Sequence, residues 1–452
     1  MSAHRRAASE APSGGLRREL GFLAMTALVV GEVIAVGIFL TPAGMATSLG
    51  SPFWLLVVWL AMGGMALCGA LVYGELATRY PEAGGDYIYL REAYGPRVAF
   101  LYGWESLLVT DPGVTAALAV GMTGYVGYAV DLAPAGAKAF AIATIAVLAA
   151  VNVLGVRMGA RVIGGLTALK IGALAVIVVL PFLSGLGDTS NFSPFVAQRP
   201  GSEALVPALA AGFVGAFFAF GGWWEVAKLT GEVRDPRRTV PRALALGVAV
   251  VTLVYILTSG AFLYLIPLGE VGSGEAFAAR AGETLFGPAG GQVLAAIVIV
   301  SVLGSLAVLL MARPRVYYAM SRDGLFPAAA GALHPRFGTP ARAIAIEVVL
   351  ASVLVLIGTF EQILGYFIFP TVLLLMLTVA GVYVLRRRES GRGGHFRTPG
   401  YPVTPAVFLA LGAIVLFLLA ARNPVQALIG TSVVALGVPV YGWLFRSGAS
   451  RG

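Results

Sequence analysis

The chain has 452 residues, of which 58% are hydrophobic and only 12% charged, with a mean hydropathy of +0.87 and a net charge of +9. A water-soluble core of that length cannot absorb so much apolar surface, so lipid is the solvent for much of the chain. The positive excess reads as solvated loops beside a membrane rather than a nucleic-acid surface, and the lone Cys68, inside an apolar run, supports neither a disulfide nor a metal site.

Roughly 20 apolar residues span a bilayer as a helix. About a dozen such runs follow one another, at 17–45, 52–78, 97–130, 137–154, 160–184, 203–230, 241–267, 288–320, 342–358, 361–385, 402–421 and 424–445. They are long and continuous, whereas barrel strands are short and alternate. The expectation is an all-α membrane protein with 12 transmembrane helices, one per run, between tails at 1–16 and 446–452. No small-residue cleavage site follows the first run where a signal peptide would place it. Lys and Arg gather on the loops of one side, around Arg5, Arg17, Arg79, Arg157, Arg234, Arg315, Arg387 and Arg446. The positive-inside rule puts that side, with both termini, in the cytoplasm at the plasma membrane. Arg386 to Arg388 would meet the anionic headgroups of the lipid bilayer.

Catalytic chemistry leaves little trace. His4, His334 and His395 lie outside the apolar runs, none beside a second His or Cys. There is no HExxH, Walker loop, GxSxG or pair of membrane aspartates, so the expectation is no enzyme and no cofactor or metal.

Two runs are irregular. The first reads VVGEVIAVGIFLTPAG (Val29–Gly44), with Gly31 and Gly37 about its middle and Thr41-Pro42 shortly after. In hydrocarbon a helix can break only against protein or a water-filled cavity, and proline favours the first turn of a new helix. These residues predict a half-helix ending near Ala35 and another starting near Ile38. The sixth run, VGAFFAFGGWWEVAKLTGEV, carries Gly221 and Gly222 side by side at mid-helix. Close helix packing would also use such glycines, but interrupted runs five helices apart point to a five-plus-five inverted repeat. Half-helix N-termini present bare N–H groups to an anion and carbonyl ends suit a cation, a combination that fits a zwitterion such as an amino acid.

Four stretches carry a family resemblance. YGELATRYPEAGGDYIYLREAYG (Tyr73–Gly95) resembles the second-to-third helix junction of the amino acid–polyamine–organocation transporters, and FAFGGWWEVAKLTGEVRDPRRTVPRA (Phe218–Ala243) resembles their broken sixth helix and following loop. ARPRVYYAMSRDGLFP (Ala312–Pro327) is similar to the end of the eighth helix and GIFLTP to the restart of the first. The likeness runs from about Arg17 to Trp443 and is nearest to bacterial relatives of the L-type amino acid transporters.

The resemblance implies a leucine-transporter-type fold: a first repeat at 17–184 (helices 1–5), a second at 203–386 (helices 6–10), and helices 11 and 12 at 402–445 outside them. It implies that the substrate carboxylate meets backbone N–H groups near Ala35, Val36, Gly37 and Ile38. The amino group would meet carbonyls at the sixth-helix break around Phe218, Ala219, Gly221 and Gly222, with Phe218 as an aromatic gate. Lys170 aligns with a lysine many members carry in helix 5, which can replace a bound sodium ion and tether helix 1 to helix 8 near Gly304 and Ser305; a snorkelling lysine is the other reading.

The pattern is also broken. Where the family usually reads Gly-Ser-Gly, this chain reads Ala35-Val36-Gly37, which narrows the room beside a carboxylate. Glu32 stands where relatives carry a small or amide residue; an ion pair with Lys170, a proton-coupling carboxyl and a transport-impairing change are its three readings. Glu105 is a second intramembrane acid facing the same cavity, and Asp111, before Pro112, marks an extracellular-half kink. Glu225 with Lys228, Lys228 with Glu232, and Glu75 with Arg79 have the spacing of helix-surface pairs. Trp223 and Trp224 read as interface anchors or as packing on the unwound segment.

The sequence therefore predicts a secondary transporter of amino acids working by alternating access, driven by exchange or by protons. Polyamine or organic-cation transport, and a non-transporting amino acid sensor, are the alternatives. The sequence names no partner subunit.

Overall fold

The computed structural model describes residues 20–34, 37–81, 84–154, 160–271, 276–329, 331–388 and 395–445. Ala35, Val36, the two tails and the Arg157 cluster lie outside the described residues. Among those described there is no strand, only one isolated bridge between Leu20 and Val233.

In chain order the helices are α1 (Phe22–Val33), α2 (Gly37–Leu40), α3 (Pro42–Leu49), α4 (Pro52–Arg79), α5 (Asp86–Tyr94), α6 (Pro96–Glu105), α7 (Asp111–Ala129), α8 (Pro134–Val153), α9 (Ala160–Ser184) and α10 (Leu205–Phe220). They continue as α11 (Pro236–Leu265), α12 (Phe277–Phe286), α13 (Pro288–Ala312), α14 (Pro314–Arg322), α15 (Ala341–Ile357), α16 (Phe360–Arg388), α17 (Val403–Arg422) and α18 (Pro424–Phe445). Proline opens many of them, since its missing N–H has no acceptor in a first turn and its φ is preset. At α4, Ser51 adds a cap by accepting from the Trp54 amide.

Among the described residues, ten stretches are long and apolar enough to cross a membrane, which makes the chain a multi-pass membrane protein. The fifth and ninth runs fold as the helices α9 and α15. Large side chains such as Leu183 (77% exposed) and Trp443 (78%) project outward, as lipid contact requires.

Two packing groups position the interior. α4 runs along α11, α1 packs on α11, and α10 packs on α3 and α4. Separately, α7 packs on α8, α13 and α15, and α13 on α8 and α9. The stretch through α6 and α7 is the most enclosed, 61% buried, while α17 and α18 are 28% and 11% buried and sit at the periphery against α16.

Candidate functional site

The interior site grows out of helix ends that lack partners. A helix leaves its last carbonyls unsatisfied, and α1 stops at Val33 in the middle of an apolar run. Two of the freed carbonyls are taken up from other helices. Lys170 Nζ on α9 donates to Gly31 O at 3.1 Å, and Tyr255 on α11 directs its hydroxyl to Val33 O at 2.8 Å. The same hydroxyl lies 2.8 Å from Ala219 O at the end of α10. One tyrosine thus ties both helix ends together.

α10 stops at Phe220 because Gly221 leaves the helical region (ψ 143°) and Gly222 takes φ +109°, which disfavours any side chain. The chain resumes as a 3₁₀ segment, Glu225–Glu232. Opposite it, a Cβ on Gly37 would stand 2.3 Å from Ala219 Cα, so only glycine lets α2 meet the end of α10. A Cβ on Gly222 would lie 3.0 Å from Glu32 Cγ.

Between these ends lies a cavity of about 770 Å³, within the range of small-molecule sites. Its walls are mostly apolar. Of the residues singled out from sequence, Glu32, Gly37, Lys170, Phe218, Gly221, Gly222, Gly304 and Ser305 line it. Ile38 and Ala219 are fully packed behind the wall. Phe218 meets Phe360 and Phe367 edge-on, with ring centroids 5.7 and 6.3 Å away, so three aromatics cover one side. Lys170 is 6% exposed and, among the described residues, its ammonium is held by the Gly31 carbonyl, with no ion pair to Glu32.

A second, polar pocket of about 30 Å³, room for about one water, adjoins the cavity. The two share Thr110, Trp224, Glu225, Arg313 and Thr371. Several readings change here. Glu105 faces this pocket, not the main cavity: the π-helical turn Ser106–Thr110 brings Thr110 round to donate to Glu105, with Thr371 3.2 Å away. Asp111 opens α7 directly after that π-helical turn; it is 4% exposed, pairs with Arg313 at 3.1 Å and accepts from the Tyr317 hydroxyl. Glu225 and Lys228 do pair, at 2.5 Å, but on a 3₁₀ segment that turns them inward rather than on a helix surface. Trp223 is 2% exposed and packs edge-on against Tyr73, so it anchors no interface; Trp224 stacks on Phe217 in the cavity wall.

Glu75 is held by a residue far away in sequence. Arg386 donates to both its oxygens, at 2.7 and 2.5 Å, Thr398 adds two bonds at 2.8 and 2.7 Å, and the guanidinium lies 3.8 Å from the Tyr401 ring centroid. Arg79 instead donates to the Leu385 carbonyl. These bonds fasten α4 to the end of α16, so Arg386 serves the protein interior rather than headgroups. Beside them, outside the spans, Asp86 at the start of α5 accepts from Tyr73 while its Oδ2 is buried without a partner. Burial pushes its carboxyl up to about 6 from an ordinary 3.8.

Sequence reasoning missed Tyr255, Arg313, Tyr317, Glu347 and Asp86. Tyr255 is one aromatic among many in an apolar run and gives no signal. Arg313 reads as one more loop charge beside Arg315. Glu347 did carry one: a lone acid within AIAIEVVLAS is a functional candidate by default.

A multi-pass helical membrane protein with an interior cavity of substrate size is the class that fold and site define. The chain matches the amino acid permease family model over residues 20–444, and it belongs to that family. It is 29% identical to the serine/threonine exchanger SteT of Bacillus subtilis, an alignment covering 94% of this chain and 97% of that protein. It is also 29% identical to the human cystine/glutamate transporter (94% and 85% covered) and 30% identical to the human b(0,+)-type amino acid transporter 1 (85% and 79% covered).

Proposed function

We propose that the chain is a secondary transporter that carries amino acids across the plasma membrane by alternating access. The observation that carries this reading is the meeting of α1, α2 and α10 at the cavity, with glycine against backbone at Gly37 and their loose carbonyls gathered by Tyr255. The likeness to a serine/threonine exchanger and to an amino acid transporter supports it. In this reading α1 with α2 and α10 with its 3₁₀ segment are the two broken helices of a 12-helix, five-plus-five fold. The repeats run 17–184 and 203–386, helices 402–445 stand outside, and both termini are cytoplasmic. The substrate carboxylate takes amide groups from 35–38, and the amino group takes carbonyls from Phe218 to Gly222. Phe218 gates the site, and Lys170 replaces a cation between α1 and the Ser305 region. The family contains transporters, so an enzymatic role has no support.

Uptake of a labelled amino acid panel into proteoliposomes, with and without internal amino acid at matched pH, tests this. Uptake confined to preloaded vesicles defines an exchanger, and uptake into empty vesicles defines a symporter. Ligand-dependent thermal stabilisation without flux would identify a sensor. No uptake and no binding would reject the amino acid reading in favour of polyamines.

A further inference from the structure

Behind the cavity wall, α7, α15 and the junction of α13 with α14 enclose a charge cluster that the transport reading does not use. Asp111 and Glu347 supply two carboxyl groups, and Arg313 supplies one guanidinium, at 6%, 0% and 12% side-chain or residue exposure. Two acids with one base leave an excess negative charge at membrane depth, where an unpaired carboxylate is costly. Hydrogen bonding divides the acids unequally. Asp111 holds both Arg313, at 3.1 Å, and the Tyr317 hydroxyl. Glu347 has only Thr115, whose hydroxyl donates to Oε1 at 2.8 Å.

Two buried polar atoms in the cluster keep hydrogen-bonding capacity among the described residues: Glu347 Oε2 has no partner, and Arg313 Nη1 lies 3.1 Å from Asp111 Oδ1 as an ion pair without the alignment of a hydrogen bond. One is an acceptor and the other a donor. They are the pair that would satisfy each other if Glu347 carried a charge and the guanidinium turned toward it.

Building on the transport reading, we propose that Glu347 is a proton-binding site of the transport cycle, and that Arg313 moves between Asp111 and Glu347 according to whether that proton is present. With Glu347 protonated, Arg313 stays with Asp111, on the cavity wall and facing the charge of Glu225 on the sixth run. On loss of the proton, the carboxylate draws the guanidinium away from the wall and from Glu225, loosening the 3₁₀ segment. The exchange is COOH to COO⁻ plus H⁺, the proton passing to water that enters the cavity, with no other bond changed. The groups facing Glu347 are Asp111 from α7 and Arg313 and Tyr317 from the α13–α14 junction. On α8 the only titratable side chain is Lys138, bonded to the carbonyl of Leu356 beyond the far end of the Glu347 turn. The π-helical turn carries none.

The test uses the full chain in proteoliposomes holding a pH-sensitive dye, with amino acid counterflow recorded separately. The wild type is expected to acidify the lumen on substrate addition and to show pH-dependent counterflow. Glu347→Gln is expected to lose the acidification and the pH dependence together. Should that variant not be recovered folded, Thr115→Val, which removes the donor favouring the charged carboxylate, is expected to move the pH midpoint to the alkaline side. Acidification in Glu347→Gln equal to wild type, an unmoved midpoint in Thr115→Val, or wild-type counterflow with no acidification would each overturn the proposal. Absence of counterflow with every amino acid would reject the transport reading itself, and the coupling with it.

Discussion

Tyr255 spends one hydroxyl on two helix ends, and its removal shows what the end carbonyls need. In Tyr255→Phe the carbonyls of Val33 and Ala219 lose that partner in a buried setting, which costs about 1–3 kcal/mol. The expected result is a lowered thermal midpoint with reduced uptake; an unchanged midpoint would show that water replaces the hydroxyl. Asp86 gives a pH dependence with a definite sign. Its folded-state value, about 6, lies above the ordinary 3.8, so the folded protein holds this proton longer than the unfolded chain. Stability from this group is greatest below 3.8 and is lost as pH rises toward 6. Thermal melting across that window should fall with pH in the wild type and fall less in Asp86→Asn; equal slopes would exclude Asp86 as the source.

Among elements, the contact of α2 with the end of α10 is the least tolerant. The atom that a Gly37 side chain would strike is backbone, Ala219 Cα at 2.3 Å, and backbone cannot rotate aside. Gly37→Ala is expected to cost about 1–3 kcal/mol by overpacking and to abolish uptake, as measured by melting and transport assays side by side. Wild-type uptake in that variant would mean the two segments are not closely apposed during transport. The Glu75–Arg386 bond set shows a different principle. Two helices more than three hundred positions apart are fastened by a carboxylate that accepts from both Arg386 and Thr398, so a spacing rule that pairs Glu75 with Arg79 points to the wrong partner.

For the whole molecule, the two packing groups, α1, α4, α10 and α11 against α7, α8, α13 and α15, meet across the cavity. Orientation is checked with single cysteines in a Cys68→Ala background. A membrane-impermeant maleimide added to intact cells is expected to label Asp131→Cys and leave Arg336→Cys unlabelled, both positions being exposed loops. The reverse pattern would invert the topology.

That the chain is all-helical and crosses lipid many times was readable from composition and run length alone, because a helix in hydrocarbon must satisfy its own backbone and so announces itself as an apolar stretch. The glycines at 37, 221 and 222 and the lysine at 170 were readable for the same reason: lipid makes glycine breaks and buried charges costly, so each stands out against an apolar background. Which partner each polar group takes was decided only by the tertiary structure. Spacing along one helix governs pairs that share that helix, but the bonds of Glu75, Asp111, Tyr255 and Glu347 join different helices, and their pairing depends on rotation and depth that hydropathy does not encode. Arg313 makes the distinction plain: in the sequence it is one of many basic loop residues, and in the fold it is a buried guanidinium between two carboxyl groups, because α13 ends inside the protein rather than at its surface.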